Sequence, residues 1–293
     1  MSELWYVAAL RRRAASRRLQ DGLQSVVVNL ILVGASALAM LPFLYMLSTS
    51  LQSMSQILQG RGFIPNPATL EAYAYVLTRM PFFLYLKNTL TITSWAVLGA
   101  VISNTLAAYG FARFRFPGRD LMFTLLLSSM MLPGVVRLVP TYIFFSKLGW
   151  VNTFLPLIVP AFFAGPFFVF MLRQFFRGLP EDLFDAATID GANELVTLTR
   201  IVMPLARPAQ ATMTVFSFAG SWSDFFGPLL YLKDAKLRTL ALGLYVFRSE
   251  PQGIPSVNNL MAIATFMVLP TLILFIAFQR YFIEGITISG LKG

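Results

Sequence analysis

The stretch LQSVVVNLILVGASALAMLPFLYMLSTSL, Leu23–Leu51, contains no charged residue. About 20 apolar residues in a helix cross the ~30 Å hydrocarbon core of a bilayer, and this run exceeds that length. It is not alone. Asn88–Ala112, Val151–Leu172 and Pro251–Gln279 are also uncharged, Leu121–Ser146 carries only Arg137, and Pro208–Leu232 carries only Asp224. These runs predict six spans, near 23–48, 88–111, 121–144, 152–172, 209–231 and 258–279. None shows the strict two-residue alternation of a membrane barrel, so the backbone groups must be satisfied inside helices. The expected fold class is therefore an all-α, polytopic membrane protein with about six transmembrane helices, whose solvent is the lipid bilayer.

The whole composition agrees. Of 293 residues, 57% are hydrophobic and 12% are charged, against roughly 25% charged in an average globular domain. Histidine and cysteine are both absent, which excludes disulfides, histidine or thiolate zinc sites and nucleophilic triads built on either residue. The net charge of +10 is read as flanking charge that orients the spans, with no nucleic-acid partner. Arg11, Arg12, Arg13, Arg17 and Arg18 precede the first span. The apolar run that follows is too long for a signal peptide, and Ser48-Thr49-Ser50 is a poor cleavage site. The reading is an uncleaved signal anchor in the cell inner (cytoplasmic) membrane. Six spans then put both termini, and the loop holding Arg113, Arg115 and Arg119, in the cytoplasm. The chain divides into a basic N-terminus (1–22), a membrane domain (23–279) with a long cytoplasmic loop at 173–208, and a glycine-punctuated tail (280–293). Pro133 and Pro140 predict a broken or kinked outer end of span three, with Arg137 snorkelling outward.

The long loop centres on Leu179-Pro-Glu-Asp-Leu-Phe-Asp-Ala-Ala-Thr-Ile-Asp-Gly-Ala192. Pro180 suits a first helical turn, and Glu181 and Asp182 favour its positive end. Gly191 is placed to close the helix in the left-handed conformation. Leu183, Ala186, Ala187 and Asp190 fall near one face, and the two alanines allow a partner backbone to approach. A second short helix from Asn193 is expected to end near Pro204. On local physics alone this is a helix-turn-helix that serves either as a solvated connector or as a docking element.

Asp185-Ala-Ala-x-x-Asp190-Gly191-Ala192, followed by Ile201-x-x-Pro204, resembles the EAA loop of ABC-importer permease subunits, with Asp185 in place of the usual glutamate. Thr69-Leu-Glu-Ala-Tyr73, Pro81-Phe-x-x-Tyr85-Leu-x-Asn88-Thr89, Ala107-Ala-Tyr-Gly-Phe-Ala-Arg113-Phe-Arg-Phe-Pro-Gly118 and Trp222-Ser-Asp224-Phe-Phe-x-Pro228-Leu-Leu are similar to successive parts of MalG-like permeases of the carbohydrate uptake class. The tail Gln279–Gly293 is similar too, whereas Arg238–Asn259 matches least. The resemblance implies half of a heterodimeric translocation pore for a carbohydrate. A second permease subunit would complete it, two ATP-binding subunits would sit below, and an extracytoplasmic solute-binding protein would deliver the solute. The chain has no Gly-x-x-x-x-Gly-Lys-Ser/Thr, so no cofactor is expected on it, and ATP and Mg are assigned to the partner ATPase subunits. It is read as a transporter subunit, not an enzyme. ATPase docking falls to Glu181, Leu183, Asp185, Ala186, Ala187, Asp190, Gly191 and Ala192. The tail is expected either to fray or to touch the ATPases.

For the solute path, the candidates are Asn104, Trp222, Asp224 and Phe225. Asn104 reads as an interhelical hydrogen-bond partner or a pore residue. Trp222, Phe225 and Phe226 read as packing aromatics or as faces on which sugars stack. Asp224 is either a pore-facing carboxylate or a residue beyond an early end of span five, since an unpaired charge in lipid is costly. Three alternatives frame the reading. One is the same machine with a polyol, glycerophosphodiester or other small polar cargo. The second is an ion-coupled secondary transporter, which calls for internal repeats and mid-membrane ionisable residues. The third is a membrane enzyme, for which few reactive groups are present.

This topology has a direct check. Single cysteines placed at Asn66 and Arg115 should react oppositely with an impermeant maleimide applied from outside, with position 66 labelled and position 115 protected. The reverse pattern overturns the orientation.

Overall fold

The computed structural model describes the backbone of residues 2–60, 62–249 and 256–290, and side chains within 24–60, 62–247 and 256–281. Every regular element described is helical. In chain order these are α1 (Ser2–Ser50), α2 (Met54–Leu58), α3 (Glu71–Arg79), α4 (Phe82–Arg113), α5 (Arg119–Ser128), α6 (Gly134–Lys147), α7 (Leu155–Ile158), α8 (Pro166–Arg177), α9 (Asp182–Ile189), α10 (Glu194–Val196), α11 (Met203–Leu205), α12 (Arg207–Trp222), α13 (Phe226–Tyr231), α14 (Leu240–Ser249) and α15 (Val257–Gly290). Among the described residues, four helical stretches are long and apolar enough to cross a bilayer: Gln24–Ser50, Phe82–Arg113, Leu155–Arg177 and Val257–Tyr281.

The other two expected spans are interrupted. Arg119–Met131 and Gly134–Lys147 meet at 103°, so the break expected in span three falls at Leu132-Pro133, and Pro140 lies inside α6 without stopping it. Arg137 is exposed on α6. In span five, α12 ends at Trp222 and the chain restarts as α13 at Phe226. The 16 residues of α12 rise about 24 Å, less than the hydrocarbon thickness. Span four is also broken, between a 3₁₀ turn at Val159–Phe162 and α8, where Gly165 and Pro166 follow one another. Three other boundaries lie beyond their expected positions. Helix α4 starts at Phe82 because Lys87 is exposed and the helix runs through it. The arginine-rich N-terminus continues into α1 as one helix, and α15 continues through the expected tail to Gly290. The side-chain contacts expected of the tail lie outside the described residues.

Helix α4 is the axis. Ile92, Ala96, Ala100, Asn104 and Ala108 recur every fourth residue on one buried face. Small residues there let neighbouring helices approach closely. At Gly99 the approach leaves no room for a side chain: a Cβ would lie 2.5 Å from Cδ2 of Phe162. Around the Arg113 end of α4, Tyr109 joins Leu172, Phe176, Phe184, Val202 and Met213 in one core cluster. Around its other end, Tyr85 joins Val76, Trp222, Leu240 and Ile263 in a second. Helix α1 lies outside both and packs against α15.

Polar side chains close the Phe82 end of α4. Buried Asn88 donates from Nδ2 to the carbonyls of Lys236 at 2.8 Å and Arg238 at 2.9 Å, and Thr89 Oγ1 accepts from the Leu240 N–H at 2.9 Å. These bonds pin the segment after α13 to α4. Asn88→Leu keeps the volume and orphans two carbonyls, so it should destabilise the protein by about 1–3 kcal/mol. Reversible unfolding in mixed micelles will measure this, and a change under about 0.3 kcal/mol would refute the pinning role.

Candidate functional site

The long loop is a folded platform. Asp182 and Asp185 sit in the first turn of α9, at its positive end. At its other end the Gly191 N–H donates to Thr188 O at 3.0 Å and the Ala192 N–H to Ala187 O at 2.9 Å, with Gly191 at φ +76°. This pair of bonds is a Schellman closure, which requires the left-handed conformation expected of Gly191. No atom lies within 4 Å of a Cβ built there, so the demand for glycine is conformational and not one of space. Asn193 then caps the next helix, its Oδ1 accepting from the Val196 N–H at 2.9 Å. The chain passes through a π-helical turn at Thr197–Val202 and ends at Leu205, one residue beyond the expected Pro204.

Two side chains from α4 hold this platform. Arg113 pairs with Glu181 at 2.6 Å, and its guanidinium lies 3.7 Å from the centroid of the Phe184 ring. The Tyr109 hydroxyl donates to Glu194 Oε2 at 2.5 Å. Phe184 and Ala187 are buried in α9. The expected docking face is divided by burial: Ala187 is 3% exposed within the chain itself. Leu183, Asp185, Ala186 and Asp190 remain exposed, as does Glu181, while Ala192 is half-buried. Ile189, 86% exposed, is the apolar residue that the sequence reading missed. Its place next to Ala186 on a helical wheel could have found it.

The solute-path candidates separate. Asn104, 2% exposed, donates from Nδ2 to Ala100 O at 2.6 Å and accepts at Oδ1 from the Gly165 N–H at 2.7 Å. It staples the break in span four and also lines the groove described below. Trp222 is equally buried, with Nε1 donating to Met267 O at 2.8 Å and its ring stacked on Phe218, the packing alternative of the two expected for it. Phe225 lies against Tyr245, with ring centroids 4.9 Å apart. Asp224 is half-buried in the break of span five, where Oδ1 accepts from the Gly227 N–H at 3.1 Å. A Cβ on Gly227 would come within 2.4 Å of its other oxygen. This carboxylate serves the first turn of α13.

The break in span four borders an open groove of about 270 Å³, whose lining includes Ala96, Ala100, Asn104, Gly165, Ser217 and Ser221, so of the four path candidates Asn104 is the one at this groove. The Ser217 hydroxyl is buried and has no hydrogen-bond partner among the described residues. Discontinuous spans beside small side chains are an arrangement that membrane transporters use to bind solute.

Residues 99–288 match the family described as binding-protein-dependent transport system inner membrane component. The chain is 34% identical to the trehalose/maltose transport system permease protein MalG of Thermococcus litoralis, over 90% of this chain and 96% of that one. It is 33% identical to the arabinooligosaccharides transport system permease protein AraQ of Halalkalibacterium halodurans, over 87% and 92% of the two chains. The fold is similar to a solved chain of a bacterial ABC transporter involved in import of the acidic polysaccharide alginate. That likeness has a TM-score of 0.79 and 25% identity, and covers 87% of this chain and 95% of the other.

The tether is testable without any transport assay. The Arg113–Glu181 pair is largely exposed on the Glu181 side and contributes about 0.5 kcal/mol, while the ring contact adds about 1 kcal/mol. Arg113→Ala should speed amide exchange across α9 by about tenfold. Arg137→Ala, on α6, should leave it unchanged, and equal rates in the two variants would remove Arg113 from the role.

Proposed function

The chain belongs to the family of binding-protein-dependent transport system inner membrane components, and from that premise we propose that it forms one half of a pore completed by a second, different permease subunit. It is a multi-pass inner-membrane protein, a permease subunit of an ATP-driven carbohydrate importer and a transporter component, not an enzyme. Two ATP-binding subunits hold the nucleotide and its Mg, and the platform of α9 faces them in the cytoplasm. An extracytoplasmic binding protein delivers a saccharide to the opposite side. The groove between the broken spans is this chain's contribution to the path.

The observation that carries the coupling role is the closed, tethered α9. Its exposed face presents Leu183, Ala186 and Ile189 between Asp182, Asp185 and Asp190. Such a knob seats in an apolar cleft with a basic rim. When nucleotide closes the ATPases, the knob moves as a rigid body. Arg113 and Tyr109 pass the displacement to α4, whose buried face reaches the groove. Opening and closing of the path then follow from movement of the groove's own wall.

Gly191→Val tests this reading. A β-branched residue at φ +76° costs about 1–3 kcal/mol or re-aims α9. The expected result is normal membrane abundance with the ATPase lost on purification, or its hydrolysis uncoupled, and no uptake. Gly191→Asn, which tolerates positive φ, should retain uptake. Full uptake by the valine variant at normal abundance would reduce the loop to a connector.

A further inference from the structure

A second concavity lies beside the platform, between the ends of α4 and α8 and the start of α5. It encloses about 630 Å³ and is lined by Arg113, Arg115, Arg119, Arg177, Phe176 and Glu181. Four guanidinium groups face one carboxylate. That carboxylate is already paired with Arg113, and Arg119 is paired with Asp120 at 3.0 Å. Arg115 and Arg177 are exposed and make no hydrogen bond or ion pair among the described residues. Arg113 Nε is buried with no hydrogen-bond partner. The cleft therefore has positive charge and donors in excess of what the chain itself satisfies, which is the chemistry of a site for a phosphate group.

Its surroundings narrow the source. A second hollow of about 340 Å³ shares Arg115 and Arg119 with the first and extends past Phe116 to Leu121. Beyond it, Leu121, Met122 and Leu125 are exposed along α5, and Phe114 and Phe116 are exposed at the rim. A polar chamber that opens onto an apolar helix face fits a headgroup with its acyl chains, whereas a free ion would use only the chamber. Basic pockets at the cytoplasmic ends of membrane helices bind anionic lipids in this way.

We propose that this cleft seats the phosphate headgroup of an anionic lipid of the inner leaflet, with its chains laid along α5. The proposal rests on the cytoplasmic placement of the platform given above. Bound phosphate braces Arg113, the residue that also holds Glu181 and Phe184, so the lipid stiffens the link between α9 and α4. Anionic lipid then acts as a cofactor for coupling as well as a solvent for the spans.

The test uses the complete importer in nanodiscs of phosphatidylcholine, with and without phosphatidylglycerol, and counts retained lipid by native mass spectrometry. Wild type should keep phosphatidylglycerol. The double variant Arg115→Gln/Arg177→Gln should retain it about thirtyfold less tightly, taking each arginine as about fivefold. Arg137→Gln should behave as wild type, and inorganic phosphate should not displace the lipid. Equal retention by wild type and the double variant overturns the proposal. Displacement by inorganic phosphate overturns the lipid assignment in favour of a soluble anion. Loss of the ATPase subunits from the double variant with lipid retention intact assigns these arginines to a protein contact and overturns it as well. The lipid count does not depend on uptake. If Gly191→Val transports normally while the arginine-dependent lipid persists, the coupling role fails and the lipid site stands.

Discussion

How closely helices can approach α4 governs the rest of this molecule. Lipid offers little hydrophobic drive between helices, since its tails are as apolar as leucine, so helix association depends on contact and on polar bonds. The alanine, glycine and asparagine face of α4 supplies both. Ala96, Ala100 and Ala108 admit α8 and α12 close to the backbone, and Gly99 admits the Phe162 ring at a distance that leaves no room for a methyl group. One helix thereby carries the groove wall, the inner core cluster and the anchors of the platform. A displacement at its platform end cannot be absorbed locally, because interiors packed this tightly transmit strain.

Broken spans create a second demand, which is met by the polar residues that a reading for function singles out. A helix end within the membrane domain exposes backbone groups that water cannot reach. Asn104 takes the Gly165 N–H and Asp224 takes the Gly227 N–H. Both residues stand out in an apolar sequence and both hold backbone, while Asn104 also lines the groove. The unassigned polarity is quieter: Ser217, with an orphan hydroxyl beside the groove, is one serine among many in the sequence.

These cases separate what a sequence discloses from what it withholds. Uncharged runs disclose membrane helices because crossing lipid is a requirement on composition. They withhold the breaks at 163–165 and 223–225, since a hydropathy window averages over three residues, and the bond that staples the first break joins positions 61 residues apart. The closure at Gly191 was legible because a Schellman turn is local. Periodicity likewise placed Leu183, Ala186, Ala187 and Asp190 near one face. It could not place the boundary between that face and the core, which Phe184 sets by lying under Arg113 and which puts Ala187 on the inner side. Ile189 went unread because it lies on the far edge of the same arc.

The isolation of α1 bears on how the chain is made. Apart from the outer segment that follows it, α1 packs against α15, the last helix of the sequence, and the bond from Asn258 Nδ2 to Gln52 O joins residues 206 positions apart. At roughly 5–20 residues per second, a ribosome needs about 10–40 s to synthesise the interval. For that time the first helix waits in the bilayer without its neighbour. Its apolar surface, largely exposed from Val26 to Leu47 even with α15 in place, suits the wait, since lipid can cover what α15 later covers. Helix α1 thus enters the membrane long before the helix it packs against.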